Sequence, residues 1–259
     1  MVNLVIQSND HRQSLRKSMN IDPLLFSPEG REDVLRETVV SEWFDLGKKE
    51  IKNIMNYVES HGGYLNLRYR ALDFACGIGE TTRALSPYFS YCYGVEFTES
   101  LAKKARELNG DCRNCVFLSN TEKHFRLFPD DYFDFIHVNA SLQYFEKKKV
   151  VKSFIAEFVR TLAPRGILVF QLPCFIPLKQ RVQPNKSLNI MLKLLGFNKG
   201  YIVEKLKLHP VKSIFFPENE IVLFLNLLGA KVIDIKFPFP SDSGIQTRTY
   251  FVTKTKMWY

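Results

Sequence analysis

The sequence predicts an α/β fold in which a mostly parallel sheet carries helices on both faces. Short apolar runs alternate with segments of helical periodicity through the middle of the chain, and this alternation is typical of right-handed strand–helix–strand units. A turn with two glycines, Ala75–Gly79, follows the first of these runs, and the second run ends in an acid, Glu96. Together these features indicate the nucleotide-binding edge of an open α/β sheet.

The N-terminal segments precede this core. Residues 1–28 lack sustained periodicity and contain prolines, so we expect a flexible arm there. Between residues 29 and 64 apolar side chains recur at helical spacing, which predicts two helices separated near Gly47. A chain of 259 residues can bury one substantial core, and we expect a single domain over residues 29–259.

The ligand-binding core is predicted over residues 65–172. Its strands and helices are expected, in order, at 70–75, 79–87, 91–96, 98–109, 115–119, 133–138, 148–161 and 166–172. Sheets of this kind bind ligands at the carboxyl ends of their strands. Four polar side chains fall at or just after such ends and are therefore candidate site residues: Asp73, Glu96, Asn120 and Asn139.

The C-terminal third begins with an interruption of the pattern. Residues 173–217 carry several prolines and apolar clusters, so we expect an insertion there. After it, residues 218–228 are predicted to form a helix, and residues 230–237 and 247–254 to form the sixth and seventh strands. Residues 218–259 thereby complete the domain.

The chemistry of the turn narrows the type of nucleotide. Gly77 and Gly79 lack a Cβ, which allows a tight turn and a close approach of ligand to backbone. Glu96, roughly 20 residues further on, is placed to accept hydrogen bonds from ribose hydroxyls. A dinucleotide site needs a third glycine, but Thr82 stands there, and Asp73 ahead of the turn would repel a pyrophosphate.

The turn resembles the first motif of the class I S-adenosylmethionine-dependent methyltransferases, an acid and an apolar residue followed by Gly-x-Gly-x-Gly. Ala75 stands in place of the first family glycine. Residues 129–139 are similar to the family's fourth strand, and residues 162–170 to its Leu-x-Pro-Gly-Gly turn into strand five. The resemblance runs in order over residues 65–172.

This resemblance implies a Rossmann-like fold with a seven-stranded, mostly parallel sheet. Strand seven is expected to run antiparallel between strands five and six, and the helices in residues 29–64 to cover the cofactor pocket. S-adenosylmethionine would be the cofactor and S-adenosylhomocysteine the product. The resemblance assigns residues to each part of the cofactor. Around the methionine part it places Asp73, Ala75, Cys76, Gly77 and Gly79. It places Glu96 and Phe97 at the ribose, Asn120 and Thr121 at the adenine, and Asn139 at the end of strand four.

The methyl acceptor is less well specified. Residues 139–144 and 169–173 look like those of trans-aconitate and malonyl-carrier-protein methyltransferases, which esterify carboxylates. We therefore expect methyl transfer to a small or carrier-linked molecule, with oxygen of a carboxylate or hydroxyl as the favoured acceptor. Tyr144 and Gln143 are candidates for the acceptor pocket. His137 is either a base or a buried structural histidine, because it lies inside a predicted strand.

Two alternatives stay open. The net charge of +9 and the basic run at Lys147–Lys149 allow an RNA methyltransferase, and the absence of an obvious base allows a non-catalytic protein with a methyltransferase-like fold. In the family, a long insertion after strand five often forms a substrate lid. For residues 173–217 the other interpretation is a structural extension or a homodimer surface.

Composition adds expectations about location and metals. The sequence contains no run of about 18 apolar residues that would span a membrane and no signal peptide at its start, so we expect a soluble, cytoplasmic protein. Five scattered cysteines favour buried thiols over a disulfide framework. Cys112 and Cys115 have the spacing of half a zinc site, but no second pair follows, so no metal is expected.

Overall fold

The computed structural model describes residues 37–61, 65, 68–120, 126–139, 141–145, 147–177, 214–237 and 245–255. The described helices are α1 (Glu37–Ser60), α2 (Glu80–Leu85), α3 (Glu99–Leu108), α4 (Lys148–Thr161) and α5 (Glu218–Leu227). The described strands are β1 (Arg70–Phe74), β2 (Tyr91–Glu96), β3 (Cys115–Ser119), β4 (Phe133–Val138), β5 (Leu162–Phe175), β6 (Ala230–Lys236) and β7 (Gln246–Lys254).

The seven strands form one sheet in the order β3-β2-β1-β4-β5-β7-β6. Strands β1 to β5 pair in parallel, whereas β7 is antiparallel to both of its neighbours, β5 and β6. The predicted α/β class and the insertion of strand seven between strands five and six are therefore confirmed. The order reverses beside β1, so the turn after β1 lies at the switch point where such sheets bind ligands.

Helices cover both faces of the sheet. On one face, Ile51 and Met55 of α1 and Leu85 of α2 pack in a cluster with apolar side chains of the strands. On the other face, Phe158 of α4 and Ile221 of α5 belong to a larger cluster. Because side chains alternate along a strand, each central strand contributes to both clusters, which accounts for the continuous apolar runs in the sequence.

The predicted break in the N-terminal helical segment is wrong. Residues 37–60 form one continuous helix, and Gly47 lies within it. A Cβ at this position would lie 2.7 Å from the carbonyl oxygen of Glu80. The glycine therefore serves the close packing of α1 against the start of α2, and the helix continues through it because the packing outweighs the low helix propensity of glycine.

Within the described residues, the predicted boundaries of the other elements agree with the structure to within two residues, except at β5. This strand begins at Leu162, the first residue of the expected turn at residues 162–166, and continues to Phe175. Its pairing with β7 shifts register between Pro164 and Ile167. The turn-forming residues are thus accommodated as an irregularity inside the strand.

Two of the five cysteines are paired with each other, which the sequence prediction of buried thiols did not anticipate. Cys112 and Cys115 are joined by a disulfide, with a Cα–Cα distance of 5.5 Å. The turn before β3 brings the two residues together, because the N–H of Cys115 donates to the carbonyl of Cys112. Cys76, Cys92 and Cys174 are free.

Several sequence predictions lie outside the described residues. These are the arm at residues 1–28, the adenine contact at Thr121 and most of the insertion, residues 178–213. Within the part of the chain that the structure describes, no helix is long and apolar enough to cross a membrane.

Candidate active site

The turn after β1 has the backbone conformation that its glycines suggest. Gly77 and Gly79 have φ values of 57° and 85°. At Gly79, a Cβ would also lie 2.5 Å from Cε1 of Phe117, so a side chain there would clash as well as be strained. Ala75 adopts φ 58°, the left-handed conformation that the first family glycine would provide without strain.

Glu96 joins the end of β2 to this turn. One carboxylate oxygen, Oε2, accepts the N–H of Gly77 at 2.8 Å, and the other, Oε1, accepts the N–H of Phe97 at 2.7 Å. Burial raises the pKa of Glu96, although these backbone donors favour the carboxylate. Oε1 also accepts the N–H of Thr98 at 3.4 Å, whereas Oε2 retains a second lone pair, so the position at the carboxyl end of β2 is compatible with the predicted ribose contact.

Phe97 and Asn120 flank Glu96 at the same edge of the sheet. The ring of Phe97 is fixed by edge-on contacts with Phe74, at 5.0 Å between centroids, and with Phe145, at 5.5 Å. The backbone N–H of Asn120 donates to the carbonyl of Glu96 at 2.7 Å, and its side chain is buried. Residues predicted for the ribose and the adenine are thus neighbours in the fold.

Asp73 lies on the face of the sheet that α1 covers. Its Oδ2 accepts hydrogen bonds from the hydroxyls of Thr81, at 2.6 Å, and Thr82, at 2.7 Å, in the first turn of α2. Its Oδ1 lies 3.1 Å from Nδ1 of His137, the residue paired with Asp73 in the register of β1 and β4. With 2% exposure, the carboxylate is enclosed by these three partners.

His137 lies between two carboxylates. Its Nε2 is 3.4 Å from Oε1 of Glu50, which reaches down from α1, and the same oxygen accepts a hydrogen bond from Nδ2 of Asn139 at 2.7 Å. Burial alone lowers the pKa of an imidazole, but the contacts with Asp73 and Glu50 outweigh it and raise the pKa of His137 to about 9. The imidazole is therefore charged at neutral pH.

Cys76, inside the turn, is also buried. Its N–H donates to the carbonyl of Val95 at 3.2 Å. Burial, followed by the charges of Asp73, Glu96 and Glu80, raises the pKa of the Cys76 thiol well above its usual range. The residue is a neutral thiol that ties the turn to β2, and it is not activated as a nucleophile.

Sequence reasoning missed Glu50, Thr81 and Thr82. The signal for Glu50 is that it occupies the apolar side of α1, one position before the buried Ile51, where a solvated acid is not expected. The two threonines follow directly on the glycine turn, eight and nine residues after Asp73. Only the three-dimensional structure reveals that they share that carboxylate.

The acceptor candidates Gln143 and Tyr144 belong to a short 3-10 helix, Leu142–Tyr144, after β4. The carbonyl of Gln143 accepts the N–H of Ile214 at 3.1 Å, and the carbonyl of Pro173 accepts the N–H of Phe216 at 2.9 Å. The chain therefore returns from the insertion to the same edge of the sheet. The acceptor candidates and the end of the insertion are brought together there.

The basic run at the start of α4 is partly neutralised. Lys148 and Lys152 lie 3.0 and 2.9 Å from the carboxylate of Glu220 on α5, and Lys148 also lies over the ring of Phe216. These lysines form ion pairs between α4 and α5. Because part of their positive charge is paired with Glu220, the basic run provides weaker support for an RNA-binding surface.

The polar groups at this edge of the sheet fit a cationic nucleoside ligand. Acidic side chains line the inner side of the edge, and the glycine turn leaves room above Gly77, where a Cβ would meet no atom closer than 3.9 Å. The buried acid Glu96 and the buried amide of Asn120 are the side-chain types that the predicted ribose and base contacts require. An anionic pyrophosphate would instead face the carboxylates.

Comparison with known proteins identifies relatives of the segment that contains this edge. Residues 72–170 match a family model described as a methyltransferase domain. The chain is 25% identical over 165 residues to phosphoethanolamine N-methyltransferase of Triticum aestivum; the match covers 62% of this chain and 32% of that protein. The chain thus spans about a third of the length of this curated relative.

Solved structures share the architecture. Magnesium protoporphyrin IX methyltransferase from Synechocystis PCC 6803, solved with S-adenosylhomocysteine, aligns at a TM-score of 0.55 and 13% identity, covering 93% of this chain and 97% of that one. An S-adenosylmethionine-dependent methyltransferase from Clostridium acetobutylicum aligns at 0.57 and 14%, covering 94% and 100%. At these identities the likeness concerns the fold.

Proposed function

Because residues 72–170 form a class I S-adenosylmethionine-dependent methyltransferase domain, we propose that this protein transfers a methyl group to a small or carrier-linked acceptor. The observation that carries the proposal is the hydrogen bond from the N–H of Gly77 to Glu96, in which a buried carboxylate lies beside the glycine turn at the carboxyl edge of the sheet; this supports ribose binding there. We assign the ribose to Glu96 and Phe97, the adenine side to Asn120, and the methionine side to the turn Ala75–Gly79.

S-adenosylmethionine supplies a methyl group that its sulfonium already activates, so the protein mainly has to align the acceptor and exclude water. Within the described residues of this edge, His137 is the candidate base. It is 2% exposed and held between Asp73 and Glu50. A charged, enclosed imidazole cannot take a proton from an acceptor, which favours an acceptor that needs no base, such as a carboxylate.

A second candidate is methylation of an amine that carries a phosphate group. The similarity to the wheat phosphoethanolamine N-methyltransferase favours it. The chemistry of the product separates the two candidates, because methyl esters release methanol in alkali whereas N-methyl groups do not.

The test is incubation of the protein with methyl-labelled S-adenosylmethionine and a panel of small carboxylic acids, acyl carriers and phosphoethanolamine. Alkali-labile label in a carboxylate product supports the first candidate, and stable label in phosphoethanolamine supports the second. If label reaches neither class of acceptor while the protein binds the donor, both acceptor assignments are contradicted.

A further inference from the structure

We propose that Glu50, His137 and Asp73 form a positioning relay that couples the N-terminal helix to the donor site. The inference rests on the proposed function, because the relay acts on S-adenosylmethionine binding. None of the three residues is assigned to the chemical step. Each acts by holding the next one in place.

The relay connects four elements in sequence. Glu50 on α1 lies 3.4 Å from Nε2 of His137 on β4, and Nδ1 of His137 lies 3.1 Å from Oδ1 of Asp73 on β1. Asp73 then holds the hydroxyls of Thr81 and Thr82 in the first turn of α2. The glycine turn lies between Asp73 and these threonines, so both of its ends are fixed by one carboxylate.

The charges make the buried relay costly to disrupt. Two carboxylates flank a single imidazole, and side-chain exposure is only 2 to 3% for all three groups. Among the described residues, the charged groups that face the imidazole are the carboxylates of Glu50 from α1 and Asp73 from β1. A buried ion pair is costly to break, because removing one partner leaves the other charge uncompensated.

The same contacts distinguish positioning from catalysis. Both nitrogens of His137 are engaged by carboxylates, and Oδ2 of Asp73 already accepts two hydroxyl protons. Glu50 additionally orients Asn139, which follows β4 at the ligand edge, through a 2.7 Å hydrogen bond. Loss of Glu50 would therefore disturb the turn and Asn139 together, although Glu50 belongs to neither.

Calorimetric titration with S-adenosylhomocysteine tests the coupling. We expect Glu50→Gln and His137→Gln each to weaken binding about tenfold. The double variant should bind no more weakly than the weaker of the two single variants, because either substitution already breaks the relay. Glu42→Gln, the same substitution at an exposed position of α1, should bind like the wild type. Unchanged affinity in the single variants, or losses that multiply in the double variant, would overturn the relay.

A second measurement does not depend on the ligand. Nitrogen NMR of the His137 imidazole should show it protonated at pH 8 in the wild-type protein, and Glu50→Gln should lower its titration midpoint by at least one pH unit. An imidazole that is neutral at pH 7 in the wild type overturns the relay. Failure of the wild-type protein to bind S-adenosylhomocysteine would instead contradict the proposed function, and the NMR result would still decide on the relay.

Discussion

Ala75 occupies a position where the methyltransferase family has glycine, and its backbone keeps the glycine conformation, with φ 58°. Arg165 does the same with φ 67°, at the place of the first glycine in the family's turn into strand five. Left-handed backbone is strained for a residue with a Cβ. At both places the chain therefore adopts a strained backbone at a residue that carries a Cβ, where the motifs that it resembles have glycine.

Replacement of Ala75 by glycine should consequently stabilise the protein. We expect a gain of about 0.5–1 kcal/mol in the free energy of unfolding, since relief of strain exceeds the added entropy of the unfolded chain. Gly77→Ala is the matched control, because the new Cβ would have room there but the backbone φ of 57° is strained for alanine. We expect this variant to lose about 1 kcal/mol in the free energy of unfolding. Urea unfolding measures both, and a destabilised Ala75→Gly variant would contradict strain at this position.

Glu96 is the residue on which the ribose assignment depends. Glu96→Ala should weaken binding of S-adenosylhomocysteine by about 1–3 kcal/mol, because charge-assisted hydrogen bonds are lost and the N–H of Gly77 loses its acceptor. Isothermal titration calorimetry provides the measurement. Glu99→Ala, at an exposed acid three residues further on, is the control, and equal affinities of the two variants would rule out the ribose role of Glu96.

At the level of elements, α1 is held to the sheet at several points along its length. Gly47 packs against the start of α2, Glu50 reaches His137, and the hydroxyl of Tyr57 donates to Asp234 on β6. The helix thereby spans the sheet from the glycine turn to the far edge. That α1 covers the cofactor pocket stays a prediction.

The packing of Gly47 can be tested against helix propensity. Alanine is favoured over glycine inside a helix by about 1 kcal/mol, so a helix free of contacts would be stabilised by Gly47→Ala. Here the added Cβ would meet the carbonyl of Glu80 at 2.7 Å, and we expect a net loss of about 1–3 kcal/mol. Thermal unfolding measures the change in stability, and Lys49→Ala, at an exposed neighbouring position, is the control. A stabilised Gly47→Ala variant would show that α1 does not pack this closely against α2.

For the whole molecule, burial of a charged histidine makes stability depend on pH. The pKa of His137 is raised to about 9, above the value of about 6.5 in an unfolded chain. Its contribution is thus fully present below pH 6.5 and is lost as the pH rises towards 9. The loss should amount to about 3 kcal/mol over that range.

Comparing the wild-type protein with His137→Gln isolates the contribution of His137 to the pH dependence of stability. Urea unfolding at pH 6.5, 8 and 9 should show the wild-type protein losing stability with rising pH, while the variant changes much less. All other titrating groups are common to both proteins, so the difference reports His137. Parallel pH profiles for the two proteins would mean that the buried imidazole is neutral.

The fold could be predicted from sequence because its signals are local. Apolar runs and helical periodicity mark the central elements, and the order of motifs specifies the sheet through the family resemblance. The candidate site could be predicted to the extent that its residues lie at strand ends, as do Asp73, Glu96 and Asn120. Glu50 could not be assigned, because its partner His137 is 87 positions away and only the packing of α1 brings them together.

Binding of S-adenosylhomocysteine to the wild-type protein, followed by calorimetry, tests the central claim most directly. The account predicts saturable one-to-one binding, whereas NAD, whose pyrophosphate would face buried carboxylates, should produce no binding heat. Absence of binding at millimolar S-adenosylhomocysteine, or equal binding of NAD, would contradict the assignment of this edge as a methyl-donor site.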